Sequence, residues 1–165
     1  MNWALKDVVS DVDIAKVAQI ADEVWHEHYG ELLGKAQVEY MVEMFQSVPA
    51  MKKQIAEDGY RYYMILLDGE PMGYTAVQPQ GEKLFLSKLY LLAKARGKGL
   101  AGRTVSYLAE QCRKEGKTAI WLTVNKYNSG SIAVYKHLGF ETIREQVADI
   151  GQGYVMDDYV MEKQV

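Results

Sequence analysis

The stretch that decides the fold is residues 95–104, which read Ala-Arg-Gly-Lys-Gly-Leu-Ala-Gly-Arg-Thr. It stands between a strand-like segment, residues 83–92, and an amphipathic helical segment, residues 100–112. Three glycines within six residues let the backbone turn tightly and direct several N–H groups to one side. The start of a helix adds a partial positive charge. The stretch is therefore a candidate phosphate-binding loop.

The distribution of charge supports this interpretation. The chain of 165 residues has a formal net charge of -3, which argues against a nucleic-acid partner. Residues 83–109, however, contain 6 Lys or Arg and no Asp or Glu. Residues 1–82 contain 6 basic and 14 acidic side chains, and residues 110–165 contain 7 and 8. We therefore expect an anionic ligand at the loop.

Two other phosphate-binding motifs fit parts of the same stretch. Gly97-x-Gly99-x-x-Gly102 matches the dinucleotide fingerprint, and Gly97-x4-Gly102-Arg103-Thr104 resembles a P-loop in which Arg replaces Lys. Both require an acidic side chain at the end of the following strand, for the ribose hydroxyls or for magnesium. That strand ends in Thr-Val-Asn at residues 123–125. Both motifs therefore remain minor alternatives.

A third pattern covers more of the chain. Arg96-x-x-Gly99-x-Ala101 resembles the Q/R-x-x-G-x-G/A motif of the GNAT superfamily of acetyl-CoA-dependent N-acetyltransferases. Downstream, Asn128-x4-Ala133-x-Tyr135-Lys136-x2-Gly139-Phe140 is similar to the second signature of that family. The resemblance extends over residues 84–141. Two departures are tolerated variants: the family often has Pro at the place of Ala93 and more commonly Gly at the place of Ala101.

The flanking segments resemble one bacterial branch of the superfamily, which includes spermidine and spermine acetyltransferases. They are Trp25-x3-Tyr29, Tyr40-Met41 and Asp157-Asp158-Tyr159-Val160-Met161. The acidity of residues 1–82 favours a cationic acceptor such as a polyamine, because carboxylates attract cations; it equally serves solubility. The candidate acceptor-site residues are Trp25, Tyr29 and Tyr40, with a core role as the alternative for Trp25.

The resemblance implies an α/β (α+β) fold, a single N-acetyltransferase domain over residues 1–165. Its sheet would be mixed and mostly antiparallel, with about six to seven strands splayed between the fourth and fifth, and flanked by helices. Periodicity predicts strands at 3–9, 60–67, 72–77, 83–92, 118–124, 140–147 and 154–161. It predicts a helix from Asp11, capped by Asp11 or Asp13 and interrupted at Gly30 and Gly34. Further helices are expected at 38–45, after Pro49, at 100–112 and at 128–138, and a turn at 68–71.

The resemblance also implies which residues bind acetyl-CoA. The pyrophosphate would contact the backbone N–H groups of the loop, formed by Arg96, Gly97, Lys98, Gly99, Leu100, Ala101 and Gly102. The pantetheine arm would run along Leu89, Tyr90 and Leu91, and the Leu91 N–H would stabilise the oxyanion. Asn128 would contact the cofactor and Tyr135 would protonate the departing thiolate. Their seven-residue spacing puts both on one helix face, where without the resemblance they would be an N-cap and a core aromatic.

The acceptor amine must lose a proton before it attacks, since an alkylamine is largely protonated at neutral pH. The sequence contains no unique base for this step. The candidates are Glu27, His28, Glu31, Glu39, Glu43, Asp157 and Asp158. His26 and His28 are two residues apart in a predicted helix and point in different directions, so we assign no metal.

The remaining features set the cellular context. The start of the chain lacks a secretory pattern and no apolar run approaches about 20 residues, which predicts a cytoplasmic location and no membrane partner. Cys112, the single Cys, is expected to pack in the core. A homodimer is common in the family that the chain resembles.

The expected activity is direct transfer of acetyl from acetyl-CoA to a primary amine. The alternatives are a CoA-binding regulatory or sensor module without catalysis, and acetylation of a protein or peptide amine.

Overall fold

The computed structural model describes residues 2–165, apart from the side chains of His28 and Glu31. The described chain contains seven strands and five helices, in this order: β1 (Trp3–Asp7), α1 (Asp11–Leu33), α2 (Lys35–Phe45), α3 (Val48–Ala56), β2 (Arg61–Leu67), β3 (Glu70–Gln80), β4 (Lys83–Leu91), α4 (Leu100–Lys114), β5 (Ala119–Asn125), α5 (Ser129–His137), β6 (Glu141–Gly151) and β7 (Tyr154–Gln164). A single 3₁₀ turn, Ala93–Ala95, precedes α4.

The strands form one sheet in the order β1-β2-β3-β4-β5-β7-β6. The pairs β1/β2, β2/β3, β5/β7 and β6/β7 are antiparallel. β4 and β5 are parallel, and their pairing covers three positions, from Lys83 opposite Ala119 to Phe85 opposite Trp121. The mixed, mostly antiparallel α/β fold predicted from the sequence is therefore confirmed.

The chain forms two compact units, which are described separately below. The first comprises the residues up to Gln78 together with Lys88–Thr104, and the second comprises Pro79–Ser87 and Val105–Val165. In the first unit, α1 buries Val17, Ala21 and Val24 against strand residues that include Met64 and Tyr74. Spacings of three and four residues put these α1 side chains on one face of the helix. Within the described residues, no helix is both long and apolar enough to cross a membrane.

The structure corrects three local predictions. Ser10, not Asp11 or Asp13, caps α1, since its side chain accepts a hydrogen bond from the Asp13 N–H at 3.1 Å. Gly30 does not interrupt α1, which continues through it and ends before Gly34. The β2–β3 turn is also tighter than the predicted residues 68–71. It has two residues, Asp68 and Gly69, both with positive φ, as the right-handed twist of a hairpin favours.

The second unit contains the last turns of α4, helix α5 and strands β5 to β7. The stripe predicted on α4 is confirmed, because Leu100, Thr104, Leu108 and Cys112 are all buried. Burial also raises the pKa of the Cys112 thiol, which makes its reactive thiolate scarcer. Cys112 therefore contributes to packing, as predicted.

Gly73 allows β3 and β4 to approach closely. A Cβ at this position would overlap the carbonyl oxygen of Tyr90 and lie 2.9 Å from Cδ2 of Leu91. We expect Gly73→Ala to lower the free energy of unfolding by about 1–3 kcal/mol, because the backbone of β4 must move. Urea unfolding measures this loss. The control is Gly30→Ala, whose Cβ would meet nothing within 4 Å and which should stabilise the helix slightly. Equal stability of the two variants would contradict the prediction.

Candidate active site

A glycine-rich loop connects β4 to α4. Gly97 and Gly99 have φ of 75° and 76°, a left-handed conformation that other residues disfavour. The Arg103 N–H donates to the Gly99 carbonyl at 3.1 Å and begins the hydrogen-bond pattern of α4. The N–H groups of residues 100–102 therefore have no acceptor within the helix. The loop is exposed at residues 96–99, so it presents several donors and a helix N-terminus to an anion.

The cations near this loop are fewer than the sequence suggests. Lys94, Arg96, Lys98 and Arg103 are exposed around it. Lys83 lies 2.8 Å from Glu162 in an ion pair, and Lys88 is buried. The backbone N–H groups and four cations thus make the loop attractive to an anion, with no contribution from the other two.

Glu27 connects α1 to the start of this loop. Its Oε1 accepts a hydrogen bond from the Ala93 N–H at 3.1 Å and lies 3.9 Å from Nη2 of Arg96. Arg96 Nη2 in turn donates to the Leu91 carbonyl at 3.3 Å. A side chain from the first helix therefore fixes the backbone where β4 ends.

The backbone of β4 is oriented by its pairing with β3. The Tyr90 carbonyl faces Gly73 of β3, and the Leu92 N–H donates to the Met72 carbonyl at 2.9 Å. Successive residues of a strand direct their backbone polar groups to opposite sides. The N–H of Leu91 therefore points away from β3. This N–H is therefore not used in the pairing of β4 with β3.

The aromatic acceptor candidates lie mostly within the core of the first unit. The Trp25 ring is 4.5 Å from Tyr29 and 5.5 Å from Tyr90, measured between centroids. Tyr90 also contacts Tyr74, at 5.5 Å. Trp25 and Tyr29 are buried, which favours a packing role for both, whereas Tyr40 is half-buried on α2.

Lys88 is buried beneath α2 and α3 without a carboxylate partner among its described contacts. Its Nζ donates to the Phe45 carbonyl at 2.5 Å, to Gln54 Oε1 at 3.1 Å and to the Tyr62 hydroxyl. Burial lowers the pKa of Lys88 to about 7. The buried cluster around Lys88 was not predicted, although the sequence of β4 contains a signal for it. Leu84, Leu86, Lys88 and Tyr90 alternate along β4, which indicates that the lysine faces inwards.

In the second unit, Asn128 and Tyr135 both lie on α5. Asn128 is the N-cap, as predicted, and its Oδ1 accepts a hydrogen bond from the Ser131 N–H at 3.3 Å. The half-buried Tyr135 packs edge-on against Phe140, with ring centroids 5.6 Å apart. These contacts fix both side chains at the start and near the end of one short helix.

A buried polar group also lies where β5 ends. Asn125 is opposite Asp158 of β7, and each side chain is 5% exposed. Asn125 Oδ1 accepts a hydrogen bond from the Tyr127 N–H at 2.9 Å, whereas Asp158 Oδ1 has no hydrogen-bond partner among the described residues. Burial, and then the charge of Asp157, raise the pKa of Asp158 to about 6. The sequence analysis did not single out Asn125.

The candidate bases therefore occupy different environments. Glu39 and Glu43 are exposed on α2, and Asp157 lies 2.8 Å from Lys126 in an ion pair. The side chains of His28 and Glu31 lie outside the described residues. The Nδ1–H of His26 donates to the Asp22 carbonyl at 2.9 Å.

The match to known proteins now decides the family. A sequence profile of the Acetyltransferase (GNAT) family matches residues 18–140. The chain belongs to this family. The GNAT chain is 33% identical over 92 residues to the uncharacterized N-acetyltransferase YjgM of Escherichia coli (strain K12). That alignment covers 53% of this chain and 55% of YjgM, so it spans about half the length of each.

Two solved structures share the GNAT fold. PaiA N-acetyltransferase from Thermoplasma acidophilum in complex with coenzyme A superposes with a TM-score of 0.82, at 18% identity and over 100% of both chains. The ribosomal-protein-S18-alanine N-acetyltransferase from Escherichia coli superposes with a TM-score of 0.74, at 16% identity, over 99% of this chain and 94% of that one. At such identities the likeness concerns the fold alone.

The buried ammonium of Lys88 predicts a pH-dependent stability. With a pKa of about 7 in the folded chain and 10.5 for an ordinary lysine, the unfolded state binds more protons between these values. The free energy of unfolding therefore gains a rising component as pH increases through that window. Lys88→Met, which lacks the ammonium, should not show this component.

Urea unfolding of both proteins at about pH 7 and about pH 9 measures the difference. Wild type should gain stability relative to Lys88→Met at the higher pH. Parallel pH dependence of the two proteins would contradict the lowered pKa of Lys88.

Proposed function

We propose that this protein is an acetyl-CoA-dependent N-acetyltransferase that acetylates a primary amine of a small cationic molecule. The observation that carries the proposal is the exposed glycine-rich loop before α4, with left-handed Gly97 and Gly99 and with N–H groups at residues 100–102 that have no acceptor within the helix. Coenzyme A carries phosphate groups that such a loop suits. Bound acetyl-CoA supplies an acetyl group already activated as a thioester.

In this proposal the loop and β4 bind different parts of acetyl-CoA. The N–H groups of residues 97–102 bind the pyrophosphate, and Lys98 and Arg103 add charge at its edge. The Arg96 N–H, which the sequence also predicted as a donor, instead donates to the Ala93 carbonyl at 3.2 Å. Glu27 holds the Ala93 N–H and Arg96, so the loop is ordered before the ligand arrives, which reduces the entropy lost on binding. The Leu91 N–H, directed away from β3, stabilises the negative charge that develops on the thioester oxygen.

Two side chains of α5 complete the assignment on the strength of the family resemblance. Asn128 contacts the cofactor while it caps the helix, and Tyr135 gives its proton to the departing sulfur. A phenol suits that role because its pKa near 10 lies slightly above that of a thiol. The proton therefore moves as negative charge accumulates on sulfur.

The acidity of the N-terminal half supports a cationic acceptor. Residues 1–82 carry 14 acidic and 6 basic side chains, and Glu39 and Glu43 are exposed one turn apart on α2. Such a surface attracts polycations and raises their local concentration. A polyamine such as spermidine is therefore the acceptor that we put first.

A second candidate function is acetylation of a peptide amine. It is favoured by the fold likeness to the ribosomal-protein-S18-alanine N-acetyltransferase, whose name specifies an alanine of a ribosomal protein. A screen with acetyl-CoA that follows free thiol release, using spermidine and amino-terminal peptides, separates the two. Faster release with spermidine supports a polyamine acceptor, and faster release with the peptides supports a protein acceptor. The absence of release with every amine would favour a CoA-binding module without catalysis.

The acid role of Tyr135 predicts a specific kinetic defect. Tyr135→Phe keeps the ring that packs on Phe140 but lacks the proton. We expect kcat to fall by about 10²–10⁴-fold, the usual contribution of acid–base catalysis, with unchanged affinity for acetyl-CoA.

Steady-state kinetics and calorimetry measure the two quantities. The matched control is Tyr127→Phe, a neighbouring tyrosine that is 71% exposed and should behave as wild type. A Tyr135→Phe variant with wild-type kcat would remove Tyr135 as the acid.

A further inference from the structure

Strand β7 carries a carboxylate in an unusual environment. The Asp158 side chain is 5% exposed, and its Oδ1 has no hydrogen-bond partner among the described residues. Burial of an unpartnered polar atom costs free energy, and such atoms are rare in folded proteins. A buried carboxylate with an unpartnered oxygen is therefore a candidate for a role in binding or catalysis.

The surroundings of Asp158 place it beside a predicted cofactor contact. Asp158 is directly opposite Asn125 on β5 and Gln146 on β6, so the three side chains share one face of the sheet. Asn125 is the last residue of β5, and Asn128, the N-cap of α5, follows three residues later. The backbone joins the two, since the Asn128 N–H donates to the Asn125 carbonyl at 3.0 Å.

We propose that Asp158 is the general base that takes a proton from the acceptor amine. The assignment rests on the proposed acetyltransferase function. An ammonium group, or one water molecule between it and Asp158, supplies the hydrogen bond that Oδ1 lacks in the unliganded protein. Contact with the amine makes Asp158 a catalytic residue rather than a positioning one.

The environment of Asp158 raises the pKa of its carboxyl, which suits a general base. Burial is the largest influence, followed by the like charge of Asp157, and together they raise the pKa of Asp158 to about 6. Lys126 opposes them, but its Nζ is engaged by Asp157 at 2.8 Å and Glu145 at 3.0 Å. The other charged side chains of β5 to β7 on the same sheet face are Glu141 and Arg144 of β6, which are exposed, and Glu162 of β7, which pairs with Lys83. At neutral pH, Asp158 is therefore ionised and more basic than an ordinary Asp.

The other carboxylate candidates are less suited to this role. Glu27 already accepts a hydrogen bond from the Ala93 N–H, and Asp157 is in an ion pair with Lys126. Glu39 and Glu43 are exposed to solvent on α2. Among the described candidates, Asp158 combines burial, an unpartnered oxygen and raised basicity.

The protons balance over one turnover. The acceptor ammonium gives one proton to Asp158, which passes it to water, and the amine lone pair then forms the new C–N bond. The C–S bond breaks, and the sulfur leaves with the electron pair and takes the proton of Tyr135. The second proton lost by the nitrogen restores Tyr135. The products are an amide, a thiol and one released proton.

The test compares Asp158→Asn with Asp149→Asn, an exposed aspartate of β6 whose Oδ1 accepts a hydrogen bond from the Gly151 N–H at 2.8 Å, which an Asn can also accept. The substrate is the amine that wild type acetylates fastest in the thiol-release screen. Asp158→Asn should lose about 10²–10⁴-fold in kcat/KM for the amine near neutral pH, with an unchanged KM for acetyl-CoA. Asp149→Asn should stay close to wild type.

The pH profile separates catalysis from structural damage. Wild-type kcat/KM should fall as pH drops through about 6, where Asp158 takes up a proton. In Asp158→Asn this step should be absent, and the rate should rise about tenfold per pH unit as the amine loses its proton to solvent, up to the pKa of the amine. A damaged fold would not recover in this way.

Stability provides an independent measurement. Because the ionised carboxylate is unfavourable in the folded chain, Asp158→Asn should have a higher Tm than wild type at about pH 8 and lose that advantage near pH 4. A wild-type pH profile in Asp158→Asn, or equal defects in both variants, would overturn the assignment. An absence of thiol release by wild type with any amine would overturn the proposed function itself, and the base with it.

Discussion

Strands β4 and β5 run parallel, and a parallel pair cannot be joined by a hairpin. The chain must return from the end of one strand to the start of the other, and α4 makes this connection. The N-terminus of α4 therefore follows the carboxyl end of β4, after the 3₁₀ turn and the glycine-rich loop, with N–H groups that no helical acceptor satisfies. Gly97 and Gly99 permit the turn. The candidate anion site thus arises from the connection itself, and the exposed cations around it would add to the attraction of an anion.

Many features that depend on neighbours in sequence could be predicted, although the cap of α1 was expected at Asp11 or Asp13 and lies at Ser10. Features that depend on distant residues could not be predicted. The loop glycines and the Asn128 cap follow from local backbone chemistry, and the structure has both where they were expected. The bond from Ala93 to Glu27 joins residues 66 positions apart, and that from Lys88 to Phe45 joins residues 43 apart. Only the folded chain brings these partners together.

Lys88 and Asp158 are both buried ionisable side chains, but they differ in their hydrogen-bond partners. Lys88 is surrounded by three oxygen acceptors from α2, α3 and β2, so its burial ties the helices to the sheet. Asp158 has an oxygen with no such partner among the described residues. Both groups have pKa values shifted toward neutrality by burial. The difference in partners is what assigns a structural role to the lysine and a chemical role to the aspartate.

The proposed function depends most on binding of the coenzyme A pyrophosphate by the loop before α4. Calorimetric titration with acetyl-CoA of Gly99→Asp and Gly69→Asp tests it directly. Both glycines have a left-handed φ, of 76° and 82°, and both have open space around a Cβ, so strain and added charge are matched. We expect Gly99→Asp to lose acetyl-CoA binding and Gly69→Asp to keep it. Binding of equal strength in the two variants would contradict this expectation.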